Sequence, residues 1–264
     1  MAIQDQGRAG SARDFAAVWR ERAAAGGPRP FLTFLDETTG ERVELSYTTF
    51  GNWLAKTSNL IQDELMAQAG DRIAVTAPPH WITAVWAVAP LLTGVAVDPW
   101  GDPAAAHTVV THAGEEALGA ARACPGERWA LSLLPLGRPF DAVPDGFRDY
   151  AAEVRGHGDR FAAFDPPGPA TEALVVGGRI LTHRELASLA AEHAARDGLE
   201  DGTRLLVDAR TEHFDGAQLI DWLYAPLHAG AAVVLVRGAG EERLERIAET
   251  ERTTRRLALA GTAG

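Results

Sequence analysis

Three observations predict an α/β fold built from two pseudo-symmetric α/β subdomains. First, strand and helix patterns alternate along most of the chain. Second, Ala89–Val97 reads APLLTGVAV and Ala225–Val233 reads APLHAGAAV, six of nine residues agreeing at an offset of 136. Third, the same offset sets LTHREL, from Leu181, on LSYTTF, from Leu45. Residues and element order repeat together, which implies two similar layers related by a pseudo-twofold axis.

The elements follow in order. Asp14–Ala25 predicts a short peripheral helix. FLTFLD and RVELSY flank ETTG, a hairpin signal with Gly40 free to take a positive φ. Thr48–Ala69 carries Phe50, Trp53, Leu54, Leu60, Ile61 and Leu65 near helical spacing, and Gly70 stops it. RIAVTA predicts a strand, Trp81–Leu92 a helix and GVAVDP a strand. HTVVTH, ALGAARAC and WALSLLPL predict strand, helix and strand. Phe140–Pro169 is rich in Pro, Gly, Asp and Arg and reads as a crossing segment with one short helix near Tyr150. The hairpin pattern then returns as EALVV, GG and RILTH. Arg184–Asp197 predicts a helix, RLLVDA a strand, Gly216–His228 a helix and AAVVLV a strand. Glu241–Glu251 predicts a helix and RRLALA a last strand. The expected divisions are an N-terminal helix and linker over 1–30, a first subdomain with the crossing segment over 31–165, and a second subdomain over 166–264.

The totals exclude some functions. The 264 residues suffice for one large or two small domains with a buried core, and 46% hydrophobic and 23% charged residues are ordinary for a globular protein. A formal net charge of −11 disfavours nucleic acid and anionic membrane, both polyanions, as partners. Cys124 is the only cysteine, so no intramolecular disulfide can form, which fits a cytoplasmic protein. The opening residues lack the apolar core of a signal peptide. The longest apolar stretch, residues 81–97, is broken by Thr83, Pro90 and Thr93, so no membrane span is expected.

Several segments together carry a resemblance. ELSYTTFGNWLAKTSNLI followed by GDRIAV, then WITAVWAVAPLLTGVAVDPW ending its strand in Asp98-Pro99, then ILTHREL, HFDG (His213–Gly216), APLHAGAAVVLV and ERLERIAETERTTRRLALAGT stand in this order. The set resembles the N-terminal half of the adenylate-forming, or AMP-binding, enzyme superfamily. That superfamily contains acyl-CoA synthetases, adenylation domains of peptide synthetases and luciferases. The resemblance runs from Phe31 to Thr262, is weakest between Gly101 and Pro169, and is nearest to a group of short actinobacterial proteins.

The resemblance implies a site and also its loss. The superfamily wraps the ATP phosphates in a loop rich in Ser, Thr and Gly with a Lys, placed just before the segment that reads LTH here. Backbone amides and hydroxyls there offset charge during attack on the α-phosphate. In this chain the interval is Gly177-Gly178-Arg179, about eight residues shorter than the superfamily loop, with no hydroxyl and no lysine. Gly177 and Gly178 read as a two-residue hairpin turn, a degenerate phosphate loop. Arg179 alone cannot replace a cradle of amides. Arg179, Thr182, His213 and Gly216 are the candidate ligand-binding residues, the last two matching the His-x-x-Gly at the mouth of the acyl pocket. The superfamily's magnesium-binding Glu, ribose-binding Asp and C-terminal domain find no counterpart before Gly264, and the one lysine, Lys56, sits in the first long helix.

The resemblance therefore implies a truncated, degenerate homologue, unable to adenylate alone, acting as a binding or interaction module. No catalytic residue and no cofactor are expected, ATP and AMP being disfavoured. A second copy or a partner protein is expected over the surface that the C-terminal half would cover. The alternative is a ligase-like enzyme that binds a nucleotide or acyl ligand and is completed by a partner chain.

Other residues have plainer readings. Asp215 suits a helix N-cap. His107 and His112 fall on opposite faces of a strand, so no metal site is expected. Cys124 reads as a buried small side chain rather than a nucleophile. Trp53, Trp81, Trp86 and Trp222 sit at apolar helix positions and read as core, while Trp100 follows a strand end and is expected to be more exposed.

Overall fold

A computed structural model describes residues 14–259. Residues 1–13 of the expected N-terminal segment and 260–264 of the second subdomain lie outside the described residues. The first repeat contains α1 (Phe15–Gly26), β1 (Pro30–Asp36), β2 (Glu41–Ser46), α2 (Tyr47–Leu60), β3 (Arg72–Thr76), α3 (Trp81–Thr93), β4 (Ala96–Pro99), β5 (Thr108–His112), α4 (Glu115–Ala121), β6 (Glu127–Leu131), β7 (Arg148–Asp149) and α5 (Tyr150–Glu153). The second contains β8 (Glu172–Val176), β9 (Arg179–Thr182), α6 (His183–Arg196), β10 (Arg204–Ala209), α7 (Gly216–Leu219), α8 (Ala225–Ala229), β11 (Ala232–Arg237), α9 (Glu241–Thr250) and β12 (Arg255–Leu259). A π-helical turn, Ile220–Tyr224, joins α7 to α8, so the expected single helix is present with an irregular middle.

These strands form two sheets, ordered β7-β6-β5-β3-β4-β8-β9 and β12-β10-β11-β1-β2. All neighbours are parallel except within the hairpins β1–β2 and β8–β9. The central strands are buried apolar runs, as sheets covered on both faces require. The order reveals an exchange. Hairpin β1–β2 of the first repeat pairs with β11, while hairpin β8–β9 of the second pairs with β4. Each sheet thus draws strands from both sides of residue 165. The pseudo-twofold relates β3, β4 and β5 to β10, β11 and β12.

Local signals set the boundaries. Ser46 caps α2, and Thr182 and Asp215 form capping boxes with Glu185 and Gln218. The His80 ring takes the cap role for α3, its Nδ1 accepting from the Ile82 amide at 3.1 Å. The helix expected to run to Ala69 ends sooner. It passes into a π-helical turn, Ile61–Leu65, and Met66 turns the chain left-handed at φ 51°. Gly70 closes a later loop rather than the helix.

The first helix is not peripheral. Phe15, Ala16, Val18 and Trp19 of α1 are buried. Phe15 packs edge-on to Tyr224 of the second repeat, and Trp19 edge-on to Phe50 of the first. Spacing of three and four residues gives α1 one apolar stripe, and that stripe lies across both repeats. Beneath it, the buried Tyr224 hydroxyl donates to the Ala87 carbonyl at 2.6 Å, joining the two repeats directly. Among the described residues, no helix is long and apolar enough to cross a membrane.

Candidate ligand cleft at the ends of β3, β4 and β5

The chain leaves β3 for β4 on one side and later enters β5 on the other side of β3. This reversal is a topological switch point, where the loops at the carboxyl ends of parallel strands diverge and open a crevice. A cleft of about 680 Å³ lies there, within the range of small-molecule sites. Thr76 ends β3, His112 ends β5, and Trp100 to Pro103 follow β4. Glu212 and His213 reach it from the loop after β10, in the other repeat.

Each wall has a local cause. The Trp100 amide donates to the Val75 carbonyl at 3.0 Å, and its backbone sits at φ 52°. A bulky residue in that region is strained, a condition that concentrates at functional sites. Gly101 follows, and a Cβ there would stand 2.1 Å from the Asp98 carboxyl carbon, so any side chain would have to displace that carboxylate. Burial raises the Asp98 pKa; Arg72 opposes the rise and nearby Asp102 adds to it. His112 accepts from the Gly114 amide at Nδ1 (3.2 Å), which leaves its proton on Nε2, and burial pushes its pKa down. Thr76 and Thr111 staple β3 to β5 through hydroxyl-to-carbonyl bonds.

The second repeat supplies the lid of this arrangement. The Thr211 hydroxyl donates to the His213 carbonyl and accepts from the His213 amide, fixing the loop. The His213 ring then stacks on the Trp100 indole, with centroids 3.7 Å apart and planes at 12°. Phe214 turns inward and packs on Trp222, and Asp215 caps α7. Gly216 presses against the end of β8, where a Cβ would stand 2.1 Å from the Val175 carbonyl oxygen.

The other sequence candidates lie elsewhere. Gly177 and Gly178 form the two-residue turn between β8 and β9, both left-handed at φ 56° and 80°. Arg179 pairs with Glu185. That same carboxylate accepts from the Thr182 amide (2.8 Å) and hydroxyl (3.0 Å), so Thr182 is committed to the helix cap. Of the sequence candidates, only His213 lines the cleft. Trp100 is its partner, and the residue class alone did not reveal this. Its position directly after the Asp-Pro strand end was the available signal. Among the described residues, no group of three His, Cys, Asp or Glu side chains could hold a metal ion. Cys124 is buried, and Trp81, Trp86 and Trp222 are core.

No protein-family model matches the chain. A Mycobacterium tuberculosis protein, described as a TIGR03089 family protein, is 40% identical over 241 residues, covering 89% of this chain and 93% of its own length. The chain belongs to the TIGR03089 family.

Solved structures agree on architecture. An acyl-CoA synthetase of Brucella canis matches with TM-score 0.74 and 18% identity, over 93% of this chain and 47% of its own. The acetoacetyl-CoA synthetase of Streptomyces lividans matches with TM-score 0.74 and 15% identity, over 93% and 42%. A fatty acyl CoA synthetase of Mycobacterium tuberculosis matches with TM-score 0.67 and 14% identity, over 91% and 48%. The chain thus spans about half the length of these synthetases and has the two-sheet α/β fold of their N-terminal part, as the sequence resemblance implied.

Proposed function

We propose that this protein is a non-adenylating member of the acyl-CoA synthetase-like fold that binds a small organic ligand in the cleft beneath Trp100 and His213. The observation that carries this reading is the β8–β9 connection. It is a two-residue glycine turn, with Arg179 and Thr182 both bound to Glu185. A turn of two residues presents too few amides to surround a triphosphate, and the one cation beside it is already paired. On this reading neither ATP nor AMP is a cofactor. Calorimetry with ATP and AMP should give no heat of binding, and acid-dependent pyrophosphate exchange should be absent. Micromolar ATP binding that is lost in Arg179→Ala would overturn the proposal.

A second reading has one observation behind it. Gly216 packs on β8, and His213, three residues before it, lines the cleft. This is the placement expected if the cleft were an acyl pocket, in a ligase-like enzyme completed by a partner chain or second copy. Pyrophosphate exchange that appears only on adding cell extract would favour it over the first.

A further inference from the structure

The wall chemistry of the cleft points to a class of ligand. Four carboxylates line it, Asp102, Glu115, Glu116 and Glu212, and no arginine or lysine does. Arg237 stands 3.6 Å from Glu212 and also faces Asp36, so its charge is shared. No ion pair among the described residues offsets Glu115 or Glu116. The flat surface in the cleft is the Trp100–His213 stack.

We propose that the cleft takes a small organic cation, an amine on a compact apolar body, and discriminates against carboxylic acids and phosphate esters. This rests on reading the cleft as the ligand site. An ammonium group at the mouth is attracted by the exposed carboxylates of Glu115 and Glu116, while its apolar body covers the indole and loses water. An anion in the same place sheds hydration beside four carboxylates, with no lysine or arginine in the wall to replace it.

The test uses the full chain and three probes of similar size: 2-phenylethylamine, 2-phenylethanol and phenylacetate. Calorimetry gives affinities, and the Trp100 indole N–H resonance, assigned with Trp100→Phe, reports occupancy. The amine should bind at least about ten-fold more tightly than phenylacetate, and its advantage should shrink with added salt. The double variant Glu115→Gln, Glu116→Gln should bring the amine to the level of the alcohol. Both side chains are exposed, and an unchanged melting curve verifies the fold. Phenylacetate binding at Trp100 as tightly as the amine would overturn the charge preference and leave the cleft as a ligand site. If no probe moves the Trp100 signal, both the preference and the cleft reading fall.

Discussion

Trp100 and His213 stack face to face across the two repeats, 3.7 Å between ring centroids and 12° between planes. One follows a strand of the first repeat and the other sits in a loop of the second. The stack therefore forms only when both repeats are in register. Removing the imidazole with His213→Ala should cost about 1 kcal/mol of stability, the usual worth of a ring pair. It should also shift Trp100 fluorescence and its indole resonance. Spectra identical to the parent protein would mean that the rings do not stack in solution.

Gly216 is held by space rather than by conformation. A Cβ there would press on the Val175 carbonyl at 2.1 Å, so Gly216→Ala should destabilise by about 2–4 kcal/mol through overpacking and a displaced strand end. Gly177 is the converse case, with open space around it but φ 56°. Gly177→Ala should cost about 1 kcal/mol, since an L-residue is strained there. Gly177→Asn should cost less, because asparagine tolerates the left-handed region. Urea denaturation of the three variants ranks them, and equal midpoints for Gly216→Ala and Gly177→Asn would contradict the packing account.

His183 should make the protein acid-sensitive. Its ring is fully buried at the start of α6, with no hydrogen-bond partner for either nitrogen. Burial pushes its pKa down from 6.5 to about 4, against a smaller pull upward from Asp14. As pH falls, the unfolded chain takes up this proton near pH 6.5 and the folded chain only near pH 4. Stability is therefore complete above the unfolded pKa and declines through that window, by up to about 3 kcal/mol. His183→Gln should flatten the decline in denaturation midpoints measured between about pH 4 and pH 7. A slope unchanged by the substitution would assign the acid sensitivity to other groups.

The hairpin exchange makes the two repeats interdependent. Chains covering 1–165 and 166–264 would each lack the hairpin that completes their sheet, since β1–β2 belongs on β11 and β8–β9 on β4. Each should be unfolded or aggregated alone, with bare sheet edges. Mixed during refolding, they should form a one-to-one complex with the circular dichroism of the intact chain. A cooperative melt from either fragment by itself would contradict this.

Much of the local structure was legible in the sequence. Buried parallel strands such as Arg204–Ala209 and Ala232–Arg237 announce themselves as continuous apolar runs. Thr182 with Glu185 and Asp215 with Gln218 are caps with fixed spacing. The Gly177-Gly178 turn follows from the backbone angles that a two-residue hairpin demands. The end of the first long helix was not legible, because Met66 adopts a left-handed angle that its side chain does not advertise. The burial of α1 was half legible. Its apolar stripe is written in Phe15, Val18 and Trp19, but not the surface that covers it.

The sequence by itself determined the element order, the internal repeat and the two-residue Gly177-Gly178 turn, because these depend on short-range patterns of polarity and turn chemistry. Only the tertiary structure decided which sheet receives each hairpin. β4 and β11 begin alike, with Ala96-Val97 and Ala232-Val233, and diverge after that; which hairpin lies beside each is seen only in the strand order of the folded chain. It also decided the cleft. Trp100 is brought to His213, and Thr76 to His112, by a strand order in which β5 returns beside β3. A site made where two loops diverge belongs to that order, and no window of sequence contains it.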